Sequence, residues 1–247
     1  MDVSRQTPWV TAPVPDQLLL QGQRADLRSS EEFRSVFLTV DSIPQATGST
    51  YAEIGNTKLM VAIYGPRTSS RKTAFSENGR LQVYVKYASF ATQVRSAAAG
   101  QTTKERDMSS LLSRALEPSV QFHTFPKAVV DVYVTILQSG GSDLAVSISA
   151  SSVALAMAGV ALYDLVPACR VGVVAGELLL DPSLAEEASE EAGMVLAQMP
   201  NVGEVTQFVL QGRWTQEQSS AALDLCKAGC KQLDAAMREC ISDHFAK

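Results

Sequence analysis

Gly140, Gly141, Ser142 and Asp143 stand between an apolar run and a long stretch of small residues. Residues 129–137 (VVDVYVTIL) are β-branched and bounded by turn signals, which predicts a buried strand. Two glycines let the chain turn sharply, and Ser142 or Asp143 is placed to cap the helix that follows. A strand, a Gly-Gly turn and a helix start can hold an anion, because unpaired N–H groups and the helix dipole face the turn. The same pattern also serves as plain structure, and a carboxylate at position 143 favours that use. A second chemical feature is basic. Arg67, Arg71, Lys72, Arg80, Lys86, Arg95, Lys104 and Arg106 face only Glu77 and Glu105, a net +6, in a chain whose overall charge is −5. Residues 171–212 hold seven acids and no base. A local basic segment in an acidic chain suggests a track for a polyanion, or a face that meets acidic neighbours. No aromatic cluster is legible beside these cations, so phosphate contact rather than base stacking is expected.

Metal and thiol chemistry find little material. The four cysteines are Cys169, Cys226, Cys230 and Cys240, and the histidines are His123 and His244. Cys226 and Cys230 share a helix face, but no C-x-x-C occurs, so buried thiols are expected and no metal.

The elements that must position these groups follow from periodicity. Residues 1–23 read as an N-terminal arm, in which Pro8, Pro13 and Pro15 forbid a long helix. Residues 24–247 then form the body. Strands are expected over 34–65, with Gly55-Asn56 as a two-residue hairpin turn. A basic loop spans 66–80, a strand 81–90, a small polar loop 91–103 and a helix 104–116, with strands around Phe125-Pro126 at 119–137. One buried small-residue helix is expected within 138–164, Gly159 being a cost unless it ends the helix early or packs closely. A hairpin follows at 169–180, a polar stretch at 183–191 and two strands at 192–198 and 202–211. A last helix opens on the capping box Thr215/Gln218. Strands followed by helices, repeated, indicate an α+β fold with helices against mixed sheets. With 247 residues, 46% of them hydrophobic, the chain can bury a large core. No apolar run reaches the ~18 residues of a membrane span, and no signal peptide is visible. An intracellular soluble protein of cytoplasm or nucleus is expected.

Three segments carry a family resemblance. Residues 137–164, through Gln138, Gly141, Ser142, Ala158, Gly159, Val160, Asp164 and Leu165, resemble the RNase PH family of phosphorolytic ribonucleases. So does GSTYAEIGNTKLMVAIYGPR, from Gly48 to Arg67, the most specific phrase in the chain. Residues 24–28 (RADLR) are similar to the family's opening, with Leu27 in place of a glycine. The resemblance implies the RNase PH-like fold, of the ribosomal protein S5 domain 2-like kind, over residues 24–247. It also implies a chemistry in which phosphate attacks the 3′ end of RNA.

Two departures weigh against that chemistry. The resemblance implies an arginine at the phosphate where Asp143 stands, and an aspartate where Gly193 stands, in the run Glu190-Glu191-Ala192-Gly193-Met194-Val195. A carboxylate ~5 Å from phosphate costs about 3 kcal/mol per unit charge at an effective dielectric near 20. Thr103-Lys104, with Glu105 and Ser109 following, keeps only part of the family's RNA-contacting arginine pair. The implied protein is a non-catalytic subunit without cofactor or catalytic residue. It is similar to the mRNA transport regulator branch of the eukaryotic exosome ring, through Tyr163, Asp164, Leu165, Val166 and the run from Leu179 to Pro182. The resemblance implies pairing with another RNase PH-like subunit, support of cap proteins, and a channel guiding single-stranded RNA to 3′–5′ processing and degradation, including that of rRNA. It also implies residence in nucleus, nucleolus and cytoplasm. RNA contact is expected at Arg67, Arg71, Lys72, Arg95, Lys104 and Arg106. The alternative is an active phosphorolytic 3′–5′ exoribonuclease.

Overall fold

The computed structural model describes residues 19–20, 23–24, 26–68, 78–93, 95 and 100–246. Two short strands, β1 (Leu19–Leu20) and β2 (Gln23–Arg24), pair with each other ahead of the body. Five strands then build the first sheet: β3 (Val36–Val40), β4 (Gly48–Ile54), β5 (Thr57–Thr68), β6 (Arg80–Tyr87) and β7 (Ala128–Gln138), in the order β3-β4-β5-β7-β6. All pairs are antiparallel except β6–β7, which is parallel and joined through helix α1 (Thr103–Leu116). Helix α2 (Asp143–Met157) follows β7. The second sheet holds β8 (Ala168–Val174), β9 (Glu177–Leu180), β10 (Ala192–Met199) and β11 (Glu204–Gly212), ordered β11-β10-β8-β9 and antiparallel throughout. A short helix α3 (Leu184–Ala188) links β9 to β10, and α4 (Gln216–Phe245) closes the chain. This is the expected α+β architecture with mixed sheets and packed helices.

Helix α2 is the centre. Every residue from Ala145 to Leu155 is buried, because the small side chains let both sheets approach. At Gly48 on β4, a Cβ would come within 2.4 Å of the Ala158 amide nitrogen and 2.6 Å of the Ala154 carbonyl. Only glycine permits that approach. The helix's serines also bind its neighbours: Ser149 Oγ accepts from the Ala168 amide at 3.0 Å, and Ser152 Oγ from Val166 at 2.8 Å, fixing the entry to β8. Strand β10 is buried along its whole length. Val195, Ala197 and Met199 face the main core, while Met194 and Leu196 pack with Cys226 and Cys230 of α4. Cys169, Cys226 and Cys230 are buried free thiols, and burial first, then the neighbouring sulfurs, raises the Cys169 thiol well above its ordinary range. They pack as small apolar groups.

Four expectations are corrected. The central helix ends at Met157, not near residue 164, because Gly159 takes φ +71°. The strands expected from 119 begin only at Ala128: Glu117–Ser119, which holds Pro118, and Phe122–Thr124 are 3-10 turns, and between them Val120 makes a single β-bridge to Leu162. Pro66, Arg67 and Thr68 remain in β5, Arg67 and Thr68 pairing past a register shift with Val129 and Ala128, so the expected loop does not begin at 66; residues 69–77 lie outside the described residues. The polar stretch 183–191 contains α3, opened by a Ser183/Glu186 capping box.

Candidate functional site

The turn before α2 is built by groups far away in sequence. Arg34, just before β3, makes a two-pronged ion pair with Asp181 at 2.6 and 2.7 Å. Its remaining N–H groups donate to the Gly140 carbonyl at 2.9 Å and the Gly141 carbonyl at 3.0 Å. Thr57 Oγ1 donates to the Gly141 carbonyl at 2.6 Å. Glycine is required twice. A Cβ on Gly140 would lie 2.5 Å from the Asn56 carbonyl carbon, and Gly141 adopts φ +105° with a Cβ position 2.6 Å from the Pro182 oxygen. With both carbonyls bound to Arg34 and Thr57, the next amide, that of Ser142, reaches Glu187 Oε1 at 2.5 Å.

Glu187 therefore supplies a carboxylate to the anion-holding end of α2. It lies on α3, and Arg170 of β8 reaches it at 3.1 Å and also pairs with Glu190. Glu190 in turn covers Gly193: a Cβ there would sit 2.8 Å from Glu190 Oε1. Asp143, the first residue of α2, accepts from Ser139 Oγ at 2.6 Å and Tyr87 OH at 3.0 Å, while its second oxygen is buried without a partner among the described residues. Neither Ser142 nor Asp143 caps the helix through its side chain as expected. Ser142 sits at φ +57° with no such bond, and Glu187 fills that role. Four carboxylates (Asp143, Asp181, Glu187 and Glu190) against the two arginines Arg34 and Arg170 make a cluster that repels a further anion.

Burial raises the Glu187 carboxyl above the usual carboxylate range, with the charges of Asp143 and Glu190 adding to it and Arg170 and the Ser142 N–H opposing. A carboxyl raised on folding binds its proton more tightly when folded. Its contribution is fully present below the unfolded value near 4.5 and is lost as pH rises through the folded value. Glu187→Gln is therefore expected to gain stability relative to the parent as pH is raised above about 4.5. Chemical unfolding across pH 4–7 checks this, and parallel curves for the two proteins would refute it.

Arg67 lies at the end of β5, half exposed, ion-paired to the buried Asp131. Arg71 and Lys72 lie outside the described residues. Arg95 and Arg106 are exposed. Lys104, in the first turn of α1, lies 5.1 Å from the centroid of the Tyr87 ring, whose hydroxyl binds Asp143. The structure thus brings Lys104 to the edge of this carboxylate cluster and leaves Arg67 on the other sheet surface. Sequence reasoning missed Arg34, Arg170 and Glu187, and also the buried pair of Arg24 with Glu186 at 2.6 Å. The run of acids from 186 to 191 was the available signal. Among the described residues no group of three His, Cys, Asp or Glu is arranged to hold a metal, and no helix is long and apolar enough to cross a membrane.

The sequence matches the 3′ exoribonuclease family (RNase_PH), domain 1 over residues 32–161 and domain 2 over residues 164–229. It is 40% identical over 222 residues to an Arabidopsis thaliana protein named exosome complex component RRP41-like, covering 90% of this chain and 85% of that one. It is 34% identical over 225 residues to exosome complex component Rrp41 of Cenarchaeum symbiosum, covering 91% and 92%. The fold is similar to the crystal structure of rice (Oryza sativa) Rrp46, with TM-score 0.77, 25% identity, and 87% and 98% of the two chains covered. It is also similar in fold to a chain of the Archaeoglobus fulgidus exosome with RNA bound to the active site, with TM-score 0.76 at 18% identity over 87% and 92%. The two sequence relatives carry Rrp41 names, and the rice structure carries the name Rrp46.

Proposed function

Because the chain belongs to the RNase PH family of 3′ exoribonucleases, we propose that it is a non-catalytic subunit of an RNA exosome ring. In this reading it pairs with another RNase PH-like subunit, contacts cap proteins and lines a channel that guides RNA to 3′–5′ processing and degradation, in nucleus, nucleolus and cytoplasm. The observation that carries the non-catalytic half is the Glu187 carboxylate on the Ser142 amide, where an attacking phosphate would need free donors. Asp143 next to it adds like charge, and Gly193 has no side chain for proton transfer. The names of the relatives support the ring half.

The test is direct. The chain, incubated with a 3′-labelled oligoribonucleotide, phosphate and magnesium, is expected to release no nucleoside diphosphate, and Asp143→Arg is expected to restore none. Release above a protein-free control would establish the alternative, an active phosphorolytic exoribonuclease.

Pairing has a candidate surface. Strand β11 is an edge of the second sheet and exposes Val205, Phe208 and Leu210. An apolar edge left unpaired invites association. Co-expression with candidate ring subunits is expected to give one soluble heterodimer. Phe208→Lys is expected to abolish it while leaving the thermal midpoint of the isolated chain within a few degrees, because Phe208 is already half exposed. A heterodimer that survives the substitution moves the interface elsewhere.

A further inference from the structure

The outer face of the five-stranded sheet carries three tyrosines on three neighbouring strands: Tyr64 on β5, Tyr133 on β7 and Tyr84 on β6. They are 36%, 41% and 41% exposed, high values for rings in a sheet. Tyr84 and Tyr133 are directly paired in register, and their rings are stacked, with centroids 5.1 Å apart and planes 15° apart. That spacing is close to the ~4.8 Å between strands, so the two rings stand upright side by side. Tyr64 meets Tyr133 edge-on at 5.8 Å. Tyr84 OH donates to Gln82 Oε1 at 3.0 Å, which holds its ring in place. Strand β6 is the edge of this sheet, so among the described residues no further strand lies beyond Tyr84. The exposed charges around the rings are basic. Arg80 and Lys86 are exposed on the same strand, at even positions like Tyr84, and Arg67 is half exposed at the end of β5. The acid among them, Asp131, is buried beneath Arg67.

We propose that this face, at Tyr84 and Tyr133, is a stacking site for the bases of a single-stranded nucleic acid whose phosphates lie along Arg80, Lys86 and Arg67. A base placed on Tyr84 extends the existing Tyr133–Tyr84 stack by one ring. Every base has an aromatic face, so the site is indifferent to sequence. The flanking cations match a polyanion in a chain that is acidic overall. The cluster also corrects the expectation that no aromatics accompany the basic segment: they lie on separate strands and meet only in the folded sheet. The inference does not depend on ring membership, since a chain outside any ring would present the same face.

The test uses the full chain, alone or in its heterodimer, and fluorescently labelled twelve-residue oligouridylate and oligodeoxythymidylate. Tyr84→Leu and Tyr133→Leu keep apolar cover but remove the ring, and each is expected to weaken binding roughly fivefold or more. Tyr84→Phe and Tyr133→Phe keep the ring and are expected to bind within twofold of the parent. Equal losses with both probes mark stacking alone, and a larger loss with the ribose probe adds recognition of the 2′-hydroxyl. Arg80→Gln with Lys86→Gln is expected to make the salt dependence shallower, by about one unit of slope for each phosphate no longer neutralised. Photo-crosslinking of a thiouridine oligonucleotide to the unsubstituted protein gives a readout that needs no variant, and is expected to label residues 80–87 or 128–138. The proposal is overturned if crosslinks fall only elsewhere, or if the leucine variants bind as the parent does. It is equally overturned if those variants lose only a protein partner, which would make the face a protein interface.

Discussion

Arg34→Met is expected to lower the unfolding free energy by about 3–5 kcal/mol, the usual cost of removing one member of a buried ion pair. Arg34 and Asp181 are each under a tenth exposed, and the arginine also holds the carbonyls of Gly140 and Gly141. Its removal strands the Asp181 carboxylate in the interior and takes one donor from each carbonyl, which keep the Leu184 N–H and Thr57 Oγ1. With domain stabilities of about 5–15 kcal/mol, a single such change takes a third or more of the total. Arg34→Met with Asp181→Leu is expected to recover at least about 1 kcal/mol over the sum of the single changes, because the stranded charge is gone. Urea unfolding of the four proteins measures the cycle. A loss below about 1 kcal/mol for Arg34→Met would mean that the pair does not organise the turn.

Gly193→Asp, the change that formally returns a carboxylate to the position where the family resemblance implies one, is expected to destabilise the protein by about 2–4 kcal/mol and to restore no phosphorolysis. The Cβ alone would lie 2.8 Å from Glu190 Oε1. Overpacking of this kind costs about 1–3 kcal/mol, and a second carboxylate beside Glu190 adds like-charge repulsion. Adding Asp143→Arg is expected to leave the activity absent, because Glu187 still occupies the Ser142 amide. Nucleoside diphosphate release by the double variant would mean that the network yields to phosphate. An unchanged unfolding midpoint for Gly193→Asp would mean that Glu190 swings aside at no cost.

The carboxylate cluster before α2 and the stacked tyrosines stand at different distances from the sequence. Asp143 and Gly193 were legible as departures because a side chain's type limits its chemistry wherever it lies: a carboxylate does not attract phosphate, and glycine transfers no proton. That Glu187 takes the Ser142 amide was not legible, since α3 is a five-residue helix within an acidic run and meets the turn only after β9 reverses.

By itself the sequence determined the local elements whose signals are short-range. Gly55-Asn56 sets the β4–β5 turn, the Thr215/Gln218 box opens α4, and the small-residue run makes α2 a buried helix. Periodicity and turn chemistry act within a few residues, so they survive without knowledge of the fold. Only the tertiary structure decided which groups far apart in the chain would meet. Arg34 reaches Asp181 across 147 positions and Arg24 reaches Glu186 across 162. The stack of Tyr84 on Tyr133 exists because β6 joins β7 in parallel register through α1. Long-range pairs carry no local pattern, because the energy that selects them is the burial and hydrogen bonding of whole elements packed together.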